Sequence, residues 1–287
     1  MAASRTAQFV ALYRALEHRE RTRPRLFSDP FAAAFLPPSH RLLVEAARVP
    51  AVHVRLCRHA DRRAPGARTS AIARTRFIDD VVTRWVADGM RQVVVLGAGF
   101  DSRAHRLAVL ARATVFEVDR PDTQRAKQAV LDHCSPVARV RYVPVDFLRD
   151  DLGSALAAAG WNGAEGTGFL WEGVTNYLTA DAVASVLRWS ASSPGPAALV
   201  FTYVHAGLLD GSVEFEGGVQ ILANVQKLGE PWTFGLRPPE VGAFLANCGL
   251  TLQEELGADD YRARYLPTAP HGYAGYAFYR LAVAAGC

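Results

Sequence analysis

Cysteine is scarce in this chain of 287 residues: Cys57, Cys134, Cys248 and Cys287 are all there are. None stands in a C-x-x-C pair, and the spacings match neither a disulfide framework nor a zinc site, so no metal is expected. That usage fits a reducing compartment, and a cytoplasmic location is expected. Long apolar runs are missing too. The longest fall far short of a membrane span and carry polar residues such as His205 or Arg280. Arg5, Arg14 and Glu17 break the apolar stretch that a signal peptide would need. A strong charge of either sign is also lacking: 32 Lys and Arg face 28 Asp and Glu, a formal +4. Arginines gather at positions 19–25 and 55–68, but Glu17, Glu20, Asp61 and apolar residues interrupt them and no aromatic pattern accompanies them. They read as solvated helix faces, so neither a nucleic acid nor a membrane is the expected partner. No repeat or low-complexity segment is visible, and nothing in the chain speaks to oligomeric state.

Half of the residues are hydrophobic, enough for one large α/β domain with a helical appendage. Residues 1–88 read as a helical cap. Phe9, Leu12, Tyr13 and Leu16 share one face of a helix over 7–20, Ser28-Asp29-Pro30 offers a helix start, residues 42–58 suggest one helix, Ala64-Pro65-Gly66 a loop, and 71–87 another helix. From Arg91 the rhythm changes. Short, mostly apolar runs at 92–96, 114–118, 140–145, 168–171 and 197–204 alternate with helical stretches, which implies βαβ units and a parallel sheet buried on both faces. Further strands are expected near 250–254 and 276–284. The predicted fold is therefore α/β: a Rossmann-like, seven-stranded, mostly parallel sheet with helices on both faces, residues 89–287, plus the cap.

Ligands of an open parallel sheet bind beyond the carboxyl ends of its strands, so the residues after each strand matter most. Gly97-Ala98-Gly99 follows the first and permits a tight turn and a close backbone approach. The loop also carries Asp101, with Ser102 where a dinucleotide fingerprint has its third glycine. An acid there would repel a pyrophosphate and favour a ligand bearing a sulfonium and an ammonium. Asp119 ends the second strand, placed to accept from ribose hydroxyls, with Glu117 before it. Asp146 after the third strand either accepts from an adenine amino group, with Phe147 beside the ring, or caps a helix. Glu172 ends the fourth. Four acidic strand ends without a phosphate-binding lysine point to a cationic nucleoside ligand.

These segments resemble the leucine carboxyl methyltransferase-like family of class I S-adenosylmethionine-dependent methyltransferases. The resemblance is carried by residues 94–103 (VVLGAGFDSR), 116–121 (FEVDRP), 143–147 (VPVDF) and 171–178 (WEGVTNYL), with ARTRFIDD at 73–80 and DPFA at 29–32. It implies S-adenosyl-L-methionine as cofactor. In it Arg74 pairs with the cofactor carboxylate, Gly97 and Gly99 line the turn, Asp119 holds the ribose, Asp146 and Phe147 frame the adenine, and Glu172 lies near the methionine portion. It also implies that the N-terminal helices cover the site and that an insertion at about 205–237 helps to build the acceptor pocket. The ART and DSR forms resemble the bacterial branch, whose acceptors are small molecules, so O-methylation of a carboxylate or hydroxyl, in secondary metabolism, is expected. Methylation of a protein C-terminus and NAD(P)-dependent oxidoreduction are the alternatives. Against the latter, Tyr177 is followed four positions on by Asp181 rather than lysine. A carboxylate acceptor needs no general base, whereas a hydroxyl benefits from one; His205, His271 and Tyr203 are candidates. Arg237 and Arg264 are candidate partners of an acceptor carboxylate, Trp232 and Phe234 candidate pocket walls, and Tyr273, Tyr276, Phe278 and Tyr279 sheet core and edge.

Overall fold

A computed structural model describes residues 5–147, 149–267 and 274–286; His271 and Tyr273 lie outside them. Seven strands form one sheet: β1 (Gln92–Leu96), β2 (Thr114–Asp119), β3 (Arg139–Pro144), β4 (Thr167–Trp171), β5 (Ala197–Val204), β6 (Leu250–Leu256) and β7 (Tyr279–Gly286). Their order is β3-β2-β1-β4-β5-β7-β6. The first five are parallel, and β7 runs antiparallel between β5 and β6. This is the Rossmann-like, mostly parallel sheet expected.

The central strands β1, β4 and β5 are almost wholly apolar because they bury both faces, whereas the edge strand β3 exposes Arg139 and Arg141. In β1, Val94 and Leu96 face one core with Phe116, Phe169 and Leu187, whereas Val93 and Val95 face the other with Val115, Leu170 and Val82. Four helices precede β1: α1 (Arg5–Arg19), α2 (Pro38–Ala46), α3 (Pro50–Arg63) and α4 (Ala67–Ala87). The helix expected over 42–58 is two helices. Pro50 lacks the N–H that would continue the first, and it opens the second instead.

The last of the four is a sheet helix. Phe77, Ile78, Val81, Val82 and Trp85 lie against the sheet, and the absence of a side chain at Gly168 makes room for Trp85, whose ring a Cβ there would meet at 2.3 Å. The helices before α4 pack on the rest of the chain: Tyr13 and Leu26 join Ala71, Ile72 and Leu266 in one cluster. Phe35, Leu36 and Ala11 close on Phe100, whose ring stacks on Phe35 at 4.7 Å.

Candidate active site

Strand order reverses between β1 and β4, so the crevice opens at their carboxyl ends. Gly97 and Gly99 turn the chain there with φ of +68° and +43°, a region that penalises every side chain. Gly97 also meets the loop after β4, where a Cβ would fall 2.4 Å from Val174 Cγ2. The turn is pinned to β2. The Ala98 N–H donates to the Val118 carbonyl at 2.9 Å, and the Gly99 N–H to Asp119 Oδ2 at 2.6 Å. Asp119 Oδ1 accepts from the Arg120 N–H at 2.7 Å. A carboxylate oxygen has two lone pairs, so half-buried Asp119 keeps acceptor capacity toward the crevice.

Residues far apart in sequence meet in one buried chain of ion pairs. Arg14 of α1 reaches Asp29 at 3.3 Å and donates to the Phe100 carbonyl at 2.5 Å. Arg106 lies 3.7 Å from Asp29 and 2.7 Å from Asp79. Arg103 donates to Asp79 at 2.8 Å, to Asp101, and to Glu172 at 3.1 Å. Glu172 also accepts from Arg74 Nε at 3.0 Å, and the Arg74 guanidinium lies 4.4 Å over the Tyr279 ring. Four carboxylates thus meet four guanidiniums. Burial works against ionisation of Asp101 and Glu172, but the adjacent guanidiniums outweigh it and hold both carboxyls below their ordinary values.

That arrangement corrects one step of the electrostatic reading. Asp101 and Glu172 do not present unpaired negative charge to a ligand; arginines neutralise them. Glu117 is likewise internal, buried with its carboxylate 2.6 Å from Lys127 Nζ. Asp146 and Phe147 are half-buried after β3, with the Asp146 N–H bonded to Asp150 at 2.7 Å.

His205 sits at the end of β5 and caps the short helix Ala206–Leu209: its Nδ1 accepts from the Gly207 N–H at 3.0 Å. Burial, then the charges of Arg237 and Arg280, lowers its pKa. A neutral ring that accepts at Nδ1 carries its proton on Nε2, so in this arrangement Nε2 donates and cannot act as a base. Tyr203 is excluded as a base by burial and by its hydroxyl's bond to Glu255 at 2.6 Å. Arg237 pairs with Asp210 and Arg264 with Glu254, each at 2.6 Å. Phe234 is core, while Trp232 joins Phe278 and Tyr279 in an aromatic group. Sequence reasoning assigned no site role to Arg14, Asp79, Arg103 or Arg106, and read Asp29 only as part of a helix start. All except Arg14 and Arg106 stand inside the quoted motifs, which was the available signal.

A model of the family described as leucine carboxyl methyltransferase matches residues 7–191. Two Frankia alni proteins, each named as a candidate S-adenosyl-L-methionine-dependent methyltransferase, are similar to the chain. One is 41% identical over 197 residues, covering 68% of this chain and 66% of its own length. The other is 43% identical over 187 residues, covering 64% and 62%. The chain thus spans just under two thirds of the length of these relatives. A crystal structure of a DUF574-family protein from Streptomyces avermitilis aligns with a TM-score of 0.61 at 14% identity, over 96% of this chain and 97% of that one. A candidate methyltransferase from Thermobifida fusca aligns at 0.58 and 17%, over 96% and 94%. At such identities the likeness is one of fold.

Proposed function

The chain belongs to the leucine carboxyl methyltransferase family, and on that footing we propose that it is an S-adenosylmethionine-dependent O-methyltransferase acting on a carboxylate or hydroxyl of a small molecule. The observation that carries this reading is the glycine turn tied to the Asp119 carboxylate at the switch point. The residues present fit the cofactor. Arg74 engages Glu172 through Nε alone, and its two Nη groups have no hydrogen-bond partner among the described residues, which suits a bidentate grip on the cofactor carboxylate. Gly97 and Gly99 bring backbone close to the ligand, Asp119 takes the ribose hydroxyls, and Asp146 with Phe147 flanks the adenine. Glu172 orients Arg74, and Asp101 acts one step further back, through Arg103.

When bound, the cofactor supplies a methyl group already activated by its positive sulfur, so the protein has mainly to orient an acceptor oxygen and exclude water. His205, protonated at Nε2, is a hydrogen-bond donor toward an acceptor rather than a base. The near-complete burial of Arg74 and Arg103 gives the low-dielectric surroundings in which such contacts count most.

Calorimetric titration with S-adenosylhomocysteine tests the reading. The wild-type protein binds it and does not bind NADH. Asp119→Ala weakens binding at least about tenfold, the loss of a charge-assisted hydrogen bond. A folded wild-type protein that takes up NADH and ignores S-adenosylhomocysteine would sink the proposal.

A further inference from the structure

Residues 41–63 hold six arginines and two acids, a formal +4 that equals the formal charge of the whole chain. They span the end of α2, the corner that follows it and the whole of α3. In sequence order, acids and apolar residues interrupt the arginines here and at 19–25. In three dimensions those interruptions turn inward or are paired. Glu17 and Glu20 are each 2% exposed, the first against Arg23 at 2.5 Å and the second against His53 of α3 at 3.3 Å. Glu45 pairs with Arg19 and Arg48 at 2.5 and 2.6 Å, and Asp61 with Arg68 at 2.7 Å. What α3 leaves outward is Arg55, Arg58, His59, Arg62 and Arg63, all exposed. None of these four arginines has an ion-pair or hydrogen-bond partner among the described residues.

The same region carries bare apolar side chains. Leu42 is 72% exposed, Leu43 47% and Val49 55%. Of the seven large hydrophobic side chains that the described residues expose, three therefore fall within eight positions. Both helices rest on α1. Val44 of α2 packs with Ala11 and Ala15, and Ala47 and Cys57 pack with Leu16. The faces that α2 and α3 turn away from α1 thus lie together on the outside of the molecule. Val49 adjoins the start of α3, where Ala51, Arg55, Arg58 and Arg62 follow one another at helical spacing.

We propose that this face docks the protein on an anionic lipid bilayer, with the arginines among the phosphate groups and Leu42, Leu43 and Val49 entering the boundary of the acyl chains. A bilayer surface uses both halves of the face. Its negative charge attracts the guanidiniums, and its acyl region takes apolar side chains out of water. A nucleic acid would engage the arginines but leave the leucines in water, and residues 41–63 hold no aromatic ring on which a base could stack. No helix among the described residues is long and apolar enough to cross a membrane; the attachment proposed is to the surface. It stands apart from the methyltransferase reading and does not depend on the acceptor.

The test is co-sedimentation of the purified chain with vesicles at about 0.1 M salt, where charge acts over about 10 Å. Vesicles of phosphatidylcholine in which about one lipid in three is phosphatidylglycerol bind the protein at least about tenfold more tightly than phosphatidylcholine alone. Arg55→Gln with Arg58→Gln weakens that binding about 25-fold, about fivefold for each guanidinium. Leu42→Gln with Val49→Gln weakens it at least about tenfold. Both variants keep the wild-type melting temperature to within about 2 °C, because the four side chains are exposed. A wild-type protein with no preference for phosphatidylglycerol overturns the proposal, and so does a melting temperature lowered further in both variants, which would mean that these side chains serve the fold. Vesicle binding that survives Leu42→Gln with Val49→Gln overturns it as well. The partner would then be one read by charge alone, and binding of a short DNA duplex at the same salt would identify it as a nucleic acid.

Discussion

At the scale of single residues, Gly97 is under two constraints that separate experimentally. Its positive φ penalises any side chain by about 1–2 kcal/mol. The approach of Val174 Cγ2 to within 2.4 Å of a would-be Cβ adds a clash that the neighbour can relieve. Gly97→Ala is therefore expected to destabilise the protein by about 2–4 kcal/mol in urea unfolding, the strain plus overpacking. Gly97→Ala with Val174→Ala should recover the clash and leave the strain, a coupling of about 1–2 kcal/mol in a double-mutant cycle. Strictly additive effects would mean that the two loops do not touch. The glycine was legible from its place after an apolar run; its neighbour was not, because Val174 lies far along the chain and periodicity says nothing about loop-to-loop contact. The same limit explains His205. Its residue type suggested a base, but the Gly207 N–H on Nδ1 that fixes its tautomer depends on the backbone path after β5.

At the scale of elements, the chain of ion pairs joins α1, the Asp29 segment, α4, the helix Arg103–Arg106 and the end of β4. Sequence showed which acids follow strands but not which arginines face them, since Arg103 and Asp79 are 24 positions apart on different elements. The central strands were readable because both-face burial makes them almost continuously apolar; β3, at the edge, was readable from its alternating β-branched and aromatic residues. The helices Gly218–Lys227 and Ala258–Tyr265 were not foreseen: the first, although Ile221, Leu222 and Val225 line one face, lies inside the stretch read whole as an insertion, and the second is rich in charge and lacks a clean apolar stripe. Arg103 is the hub. Replacing it by methionine leaves buried carboxylates without their partner, and the expected loss is about 3–5 kcal/mol at pH 7. Acid changes that figure in a definite direction. The Asp101 and Glu172 carboxyls lie below their ordinary values of 3.8 and 4.5, so they stabilise the wild-type protein above those values and lose that effect as pH falls toward the folded pKa. In Arg103→Met the buried acids take up protons more readily and cease to repel. The gap between the two proteins should narrow as pH drops from 7 through about 4. A gap that stays constant over that range in chemical denaturation would show that these acids are not ionised partners of Arg103.

At the scale of the whole molecule, the layer that precedes α4 is tied to the crevice through the glycine turn's own neighbours. Arg14 bonds to the Phe100 carbonyl, Phe35 stacks on the Phe100 ring, and the Ser102 hydroxyl donates to Asp29 at 2.7 Å. Phe100 and Ser102 flank Asp101, directly after Gly99. A ligand that orders the turn must therefore also order what rests on it, because packed interfaces transmit small shifts rather than absorb them. S-adenosylhomocysteine at a hundred times its dissociation constant stabilises the folded state by about 2.7 kcal/mol, which for a chain of this size raises the melting temperature by roughly 4–5 °C. Where that stabilisation appears is the sharper question. Hydrogen exchange should slow in α1 and across residues 29–36 as well as in the turn, while the helix Val241–Ala246, packed on the sheet away from these contacts, changes little. Slowing confined to the turn would mean that the first layer merely rests on the domain, and that the cofactor reaches its place without moving it. Slowing that spreads into α1 would mean that the helix and the turn are ordered together, so that Arg14→Ala, which cuts the hydrogen bond to the Phe100 carbonyl, removes the extra protection of α1 while leaving that of the turn.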